Sequence, residues 1–80
     1  PRPRRLTYRE QRELEVLPQQ IEDLESELGQ WHDTMADPAF YRQDPAGIVK
    51  AKARLDAIEK EIAEGYRRWD ELETLREQGG

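Results

Sequence analysis

Few side chains in this sequence could do covalent chemistry. Ser26 is its one serine and His32 its one histidine, and cysteine is absent. A hydrolytic triad needs a nucleophile held by a base, and Ser26 falls on the acidic face of a helix. His32 with Asp33 and Asp37 offers one imidazole and solvated carboxylates, a poor metal site, so His32 is expected to face solvent. Residues 22–27 are acid-rich but lack the glycine and the alternating spacing of a calcium loop. A phosphate-binding loop needs several glycines ahead of a Lys-Ser/Thr pair, and the five glycines form no such run. Gly79 and Gly80 read as a helix stop rather than a conjugation tail. The expectation is a non-catalytic segment with no metal and no cofactor.

The basic residues carry more. Arg2, Arg4, Arg5, Arg9 and Arg12 stand against one acid, Glu10, within residues 2–12. Such a block can neutralise phosphates and release their counterions; the alternative is a solubilising linker. Arg42, Lys50, Lys52 and Arg54 form a second basic block against Asp44 alone. Residues 13–41 hold eight acids and no Lys or Arg, and residues 55–80 eight acids and four bases, giving −5 overall. An acidic chain is a poor general nucleic-acid binder, but its basic blocks can act locally. Lys50, Lys60, Arg67 and Arg68 have a structural alternative as partners of acids on a neighbouring helix. Trp31, Trp69, Tyr41 and Tyr66 could stack on single-stranded bases, although Trp31 and Trp69 occupy core positions of the pattern described next.

The elements that position these groups are helical. With 80 residues, 39% of them charged and 35% hydrophobic, the chain is one small domain with a thin core, which excludes a sheet sandwich. No apolar run approaches the roughly 20 residues of a membrane span. No signal peptide is visible, and the cytoplasm is the default expectation. Pro1 and Pro3 among arginines read as the end of a basic linker, residues 1–7. Thr7 with Glu10 matches a capping box, so a helix should start at Tyr8 with Leu6 packed on its first turn. Leu14, Leu17, Ile21, Leu24, Leu28, Trp31 and Met35 then alternate steps of three and four, the pattern of a coiled coil. Pro18 lies inside that run. A proline removes a helix hydrogen bond and clashes with the preceding turn, so the spacing predicts a kink or break, with helices over about 8–17 and 18–36. Asp37-Pro38 should cap a single helical turn, and Asp44-Pro45 should open a helix over about 45–77. Its seam is Ile48, Ala51, Leu55, Ile58, Ile62, Gly65, Trp69, Leu72 and Arg76.

Two such helices joined by a short turn imply an all-α fold, an antiparallel two-helix coiled-coil hairpin. If Met35 meets Ile48, Leu28 faces Leu55, Leu14 faces Trp69, and Pro18 faces Gly65 with Tyr66 covering it. The same register brings Asp33 near Lys50, Glu22 near Lys60, and Glu15 near Arg67 and Arg68. Phe40 is expected to fold back onto the seam, with Tyr41 left open.

The stretches "LTYREQRELEVLPQQIEDLESEL", "ADPAFY" and "RRWDELETL" together resemble the C-terminal coiled-coil domain of bacterial ABC-F family ATPases, over residues 6–80. The resemblance implies a hairpin following a second nucleotide-binding domain, with the Walker motifs upstream. It also implies a DNA-binding role, assigned to Arg4, Arg5, Arg9 and Arg12 and extended from the charge pattern to Arg2, Arg42, Lys50, Lys52 and Arg54. DNA is the expected partner, with RNA, the ribosome and the parent nucleotide-binding domains also in view, no membrane, and a monomer in isolation. The alternatives are a protein- or ribosome-docking hairpin that presents Phe40 and Tyr41 and binds no DNA, and a dimerising coiled coil.

Overall fold

The computed structural model describes residues 5–79. Two long helices lie antiparallel in a hairpin of 58 × 18 × 16 Å. Helix α1 spans Tyr8–Ala36 and helix α2 spans Pro45–Gly79, with a short 3-10 turn, Pro38–Arg42, between them.

The predicted caps form. The Thr7 hydroxyl accepts from the Glu10 N–H at 3.1 Å, and the Glu10 carboxylate accepts from the Thr7 N–H at 3.0 Å. Two of the unsatisfied donors at the helix start are thereby paired. The Asp37 carboxylate accepts from the Ala39 N–H at 2.9 Å and starts the 3-10 turn. The Asp44 carbonyl accepts from the Gly47 and Ile48 N–H groups as α2 begins at Pro45.

Helix α1 does not break at Pro18. The two segments predicted over 8–17 and 18–36 are one continuous helix with the proline inside it. Pro18 itself is exposed, on the rim of the seam, whereas Leu14, Leu17 and Ile21 on either side of it are buried. Seam packing on both sides of the defect holds the helix through it, as tertiary burial commonly overrides local propensity.

The core is one narrow seam. Leu14, Leu17, Ile21, Ala51, Ile58 and Leu72 are buried, Ile58 and Leu72 completely, and Phe40 closes the tip end. Leu6 reaches beyond the first turn. It joins Trp69 against the Leu14, Leu17 and Leu72 cluster at the open end of the hairpin.

The register differs from the predicted one by a single seam step. A Cβ placed on Gly65 would lie 2.9 Å from Ile21 Cγ1, so Gly65 faces Ile21 and not Pro18. Leu72, rather than Trp69 alone, packs on Leu14. Carried along the hairpin, this register sets Met35 level with Ala51 rather than with Ile48. The apolar alignment survives the shift because a three-four repeat matches itself again one step along.

Candidate nucleic-acid interface

Cross-helix polar contacts divide the hairpin into two flanks. On the first, the Arg68 guanidinium grips the Glu13 carboxylate with bonds of 2.6 and 2.9 Å, and Arg54 grips Glu27 with two bonds of 2.8 Å. Both pairs occupy the same pair of flanking positions, two heptads apart, as charge pairs beside a coiled-coil seam do. On the second flank, the Tyr66 hydroxyl donates to Glu25 at 3.0 Å. The predicted pairs Asp33–Lys50 and Glu22–Lys60 do not form, and Glu15 bonds Arg12 in its own helix instead of Arg67 or Arg68. Arg67 spans Glu64 and Glu71 within α2. Asp33, Lys60 and Arg67 lie on the outward faces of their helices, and Glu15 and Arg68 on opposite flanks, so these pairs do not meet across the seam.

The flanks carry charge differently. Glu13, Glu27, Glu61, Glu64 and Glu71 on the first flank each have an arginine partner. Glu22, Asp56, Glu59, Asp70 and Glu77 project on the second flank, and among the described residues none of them has an ion-pair partner. The first flank is therefore largely neutralised, with Asp23 left without an ion pair among the described residues, and the second carries more bare carboxylates beside the partnered Glu15, Glu25 and Glu73.

The candidate cations separate in the same way. Arg2 and Arg4 lie outside the described residues. Arg5 lines a groove at the open end. Arg12 is tied loosely to Glu15, both side chains being mostly exposed. Arg54 is not available as a phosphate ligand: its fork is closed on Glu27 and it also reaches Glu61 at 3.8 Å. Arg9, Arg42, Lys50 and Lys52 are exposed and make no ion pair among the described residues. Arg9 and Lys50 both project on the first flank, near opposite ends of the molecule. Arg42 closes the 3-10 turn at the tip, and Lys52 lies across Ala51 from Lys50.

The paired carboxylates are held in their charged form. Hydrogen bonds from Arg54, and then from the Trp31 indole N–H at 3.1 Å, bring the Glu27 carboxyl down to about 2. Arg68 lowers Glu13 through the same kind of contact, and Glu13 in turn raises Arg68. These ion pairs fix the hairpin in register. His32 is exposed, and no group of three or more metal-ligating side chains converges among the described residues.

The aromatics divide between core and surface. Trp31 and Trp69 sit at seam positions but are only half-buried. Tyr66 does not cover Pro18; its ring stacks on Trp69 at 6.2 Å and 11°. Pro18 shares an open groove of about 610 Å³ with Leu6, Leu14 and Trp69, rimmed by Glu15, Glu73 and Arg76. Phe40 folds back as predicted, with 6% of its surface exposed, whereas 56% of Tyr41 is exposed. The two rings meet edge to face at 5.0 Å and 88°. Sequence reasoning did not anticipate the neutralised flank, and the regular spacing of Glu13 and Glu27 against Arg68 and Arg54 was the signal for it.

Known proteins match this arrangement. The ATP-binding protein Uup of Escherichia coli (strain K12) is 40% identical over 75 residues, covering 94% of this chain and 12% of the relative. The ATP-binding protein Uup of Haemophilus influenzae is 43% identical over 77 residues, covering 95% of this chain and 12% of the relative. The chain thus spans about an eighth of the length of these curated relatives. A solved structure, described as showing that the C-terminal domain of the Uup protein is a DNA-binding coiled coil motif, superposes with a TM-score of 0.86 at 40% identity. That match covers 92% of this chain and 87% of the other. The family model for the ABC transporter C-terminal domain matches residues 5–74. With most of its length matched by the family model, the chain belongs to the ABC transporter C-terminal domain family.

Proposed function

We propose that this chain is the non-catalytic DNA-binding hairpin of a longer, cytoplasmic ABC-F-type ATPase. The observation that carries this reading is the solved coiled coil of TM-score 0.86 described as DNA-binding. The charge layout supports it. Free cations stand at both ends of the first flank, and between them Glu13 and Glu27 are matched by arginines, leaving Asp23 bonded only to the Gln19 amide among the described residues. The bare acids of the second flank turn away from a duplex laid there. Nucleotide hydrolysis belongs to domains outside this segment, and the hairpin acts as a monomer without a cofactor of its own.

Titration of labelled duplex DNA against rising salt tests the proposal. Each phosphate neutralised contributes a slope of about −0.9 in log K against log salt. Replacing Arg9 or Lys50 with Ala should reduce that slope by about one contact each. Binding that ignores salt, or that survives the joint loss of Arg9, Arg12, Lys50 and Lys52, would defeat the electrostatic mechanism.

The unmatched acids of the second flank favour one other reading, a hairpin that docks on the ribosome or another protein and touches no DNA. Phe40 is buried, so such docking at the tip rests on Tyr41. Ribosome co-sedimentation lost in Tyr41→Ala, with no DNA binding at low salt, would favour it.

A further inference from the structure

The hairpin tip has the parts of a base-stacking platform. Tyr41 is more than half exposed, yet its ring is not loose: the edge-to-face contact with buried Phe40 at 5.0 Å supports it from below. The 3-10 turn that carries it is anchored by the Asp37 carboxylate on the Ala39 N–H. Phe40 is buried at the closed end of the seam, where it lines a shallow groove with Trp31, Thr34, Gly47, Lys50 and Ala51. Arg42 follows Tyr41 in the same turn, Lys50 lines the groove that holds Phe40, and Lys52 lies just beyond on α2, none with an ion-pair partner among the described residues. The nearest Asp side chains are engaged elsewhere, Asp37 on Ala39 and Asp44 on Ala46.

We propose that the tip binds single-stranded nucleic acid, with an unstacked base lying on the Tyr41 ring and its flanking phosphates on Arg42, Lys50 and Lys52. The inference deepens the nucleic-acid reading and rests on it. The chemistry follows from the surface: every base has a π-face, so one exposed ring at an end that carries free cations accepts any unpaired nucleotide. A duplex offers no such face, because its bases are stacked on one another. A duplex laid on the first flank would use Arg9 and Lys50 and would not need Tyr41. Single-strand binding and duplex binding are therefore separable at one side chain.

The test is fluorescence anisotropy with a labelled oligothymidylate and with a labelled duplex of equal length, at low salt. Thermal unfolding of each variant confirms that this exposed position leaves the fold intact. Tyr41→Ala should weaken single-strand binding about tenfold or more and change duplex binding less than about twofold. Tyr41→Phe should bind the single strand like the wild type, because the ring and not the hydroxyl does the stacking. An unchanged single-strand affinity in Tyr41→Ala overturns the proposal, and so does equal loss on both probes or a Tyr41→Phe loss as large as that of Ala. A wild-type domain that binds duplex but not oligothymidylate sinks this inference alone. One that binds neither sinks the DNA-binding reading with it.

Discussion

At the scale of single residues, what each charged side chain does depends on what stands across the seam. Glu27 and Arg54 illustrate this. Alone, Arg54 reads as a phosphate ligand in a basic block; opposite Glu27 it becomes a register clamp. The clamp predicts how stability depends on pH. The Glu27 carboxyl falls from an ordinary 4.5 to about 2 on folding, and Glu13 is lowered too. A depressed carboxyl stabilises the fold above its unfolded value and loses that contribution as pH falls toward its folded one. The thermal midpoint should therefore drop between about pH 4.5 and pH 2, and Glu27→Gln should flatten that drop, as circular dichroism melts across the range would show. Two helical glycines give a second prediction at this scale. A Cβ on Gly29 meets nothing within 4 Å, whereas one on Gly65 meets Ile21 Cγ1 at 2.9 Å. Gly29→Ala should raise stability by about 1 kcal/mol through helix propensity alone. At Gly65 the same gain is outweighed by overpacking of about 1–3 kcal/mol, so Gly65→Ala should lower stability. Denaturant midpoints moving in the same direction for both would contradict the close approach of α2 to Ile21.

At the scale of elements, local signals were legible and the relation between the helices was less so. Thr7-x-x-Glu10, Asp37-Pro38 and Asp44-Pro45 each act within a few residues, and each marks the boundary at which the helices and the turn start. The seam residues were legible for the same reason. The register was not, because a heptad seam slid by one step still buries apolar residues against apolar residues. Only cross-helix clamps and the folded-back Phe40 decide between neighbouring registers, and both require knowing which residues face each other. That is also why Arg54 was grouped with the phosphate ligands. Pro18 does not produce the break that a local rule allows, because packing carries the helix through. Its nitrogen cannot bond the Leu14 carbonyl, yet α1 continues, with Leu14, Leu17 and Ile21 buried around it. The defect remains as a cost within a continuous helix. Pro18→Ala restores the missing donor at an exposed position and should stabilise the hairpin by about 1–3 kcal/mol. An unchanged urea midpoint would show that the helix accommodates the proline without strain.

At the scale of the whole molecule, the hairpin is a rod whose two flanks differ in electrostatic character along its 58 Å length. The first flank sets Arg9 near the open end and Lys50 near the tip, with the arginine-matched Glu13 and Glu27 and the unpaired Asp23 between them. In the observed register Lys50 lies level with Ala36, so the two cations are separated by roughly 40 Å at 1.5 Å per helical residue. B-DNA advances about 3.4 Å per base pair along one strand, so a duplex must reach about 12 base pairs to span both cations. A shorter duplex engages one end of the rod at a time. The steepness of salt dependence counts phosphates contacted together, and it should therefore rise with duplex length and level off once both ends are engaged. Duplexes of about 8 base pairs should give a slope shallower by about one contact than duplexes of about 20, and Arg9→Ala should remove that difference. Anisotropy titrations at three or four salt concentrations for each length measure it directly. A slope already at its full value with the shortest duplex would place all phosphate contacts at one end and remove the first flank as the track for DNA.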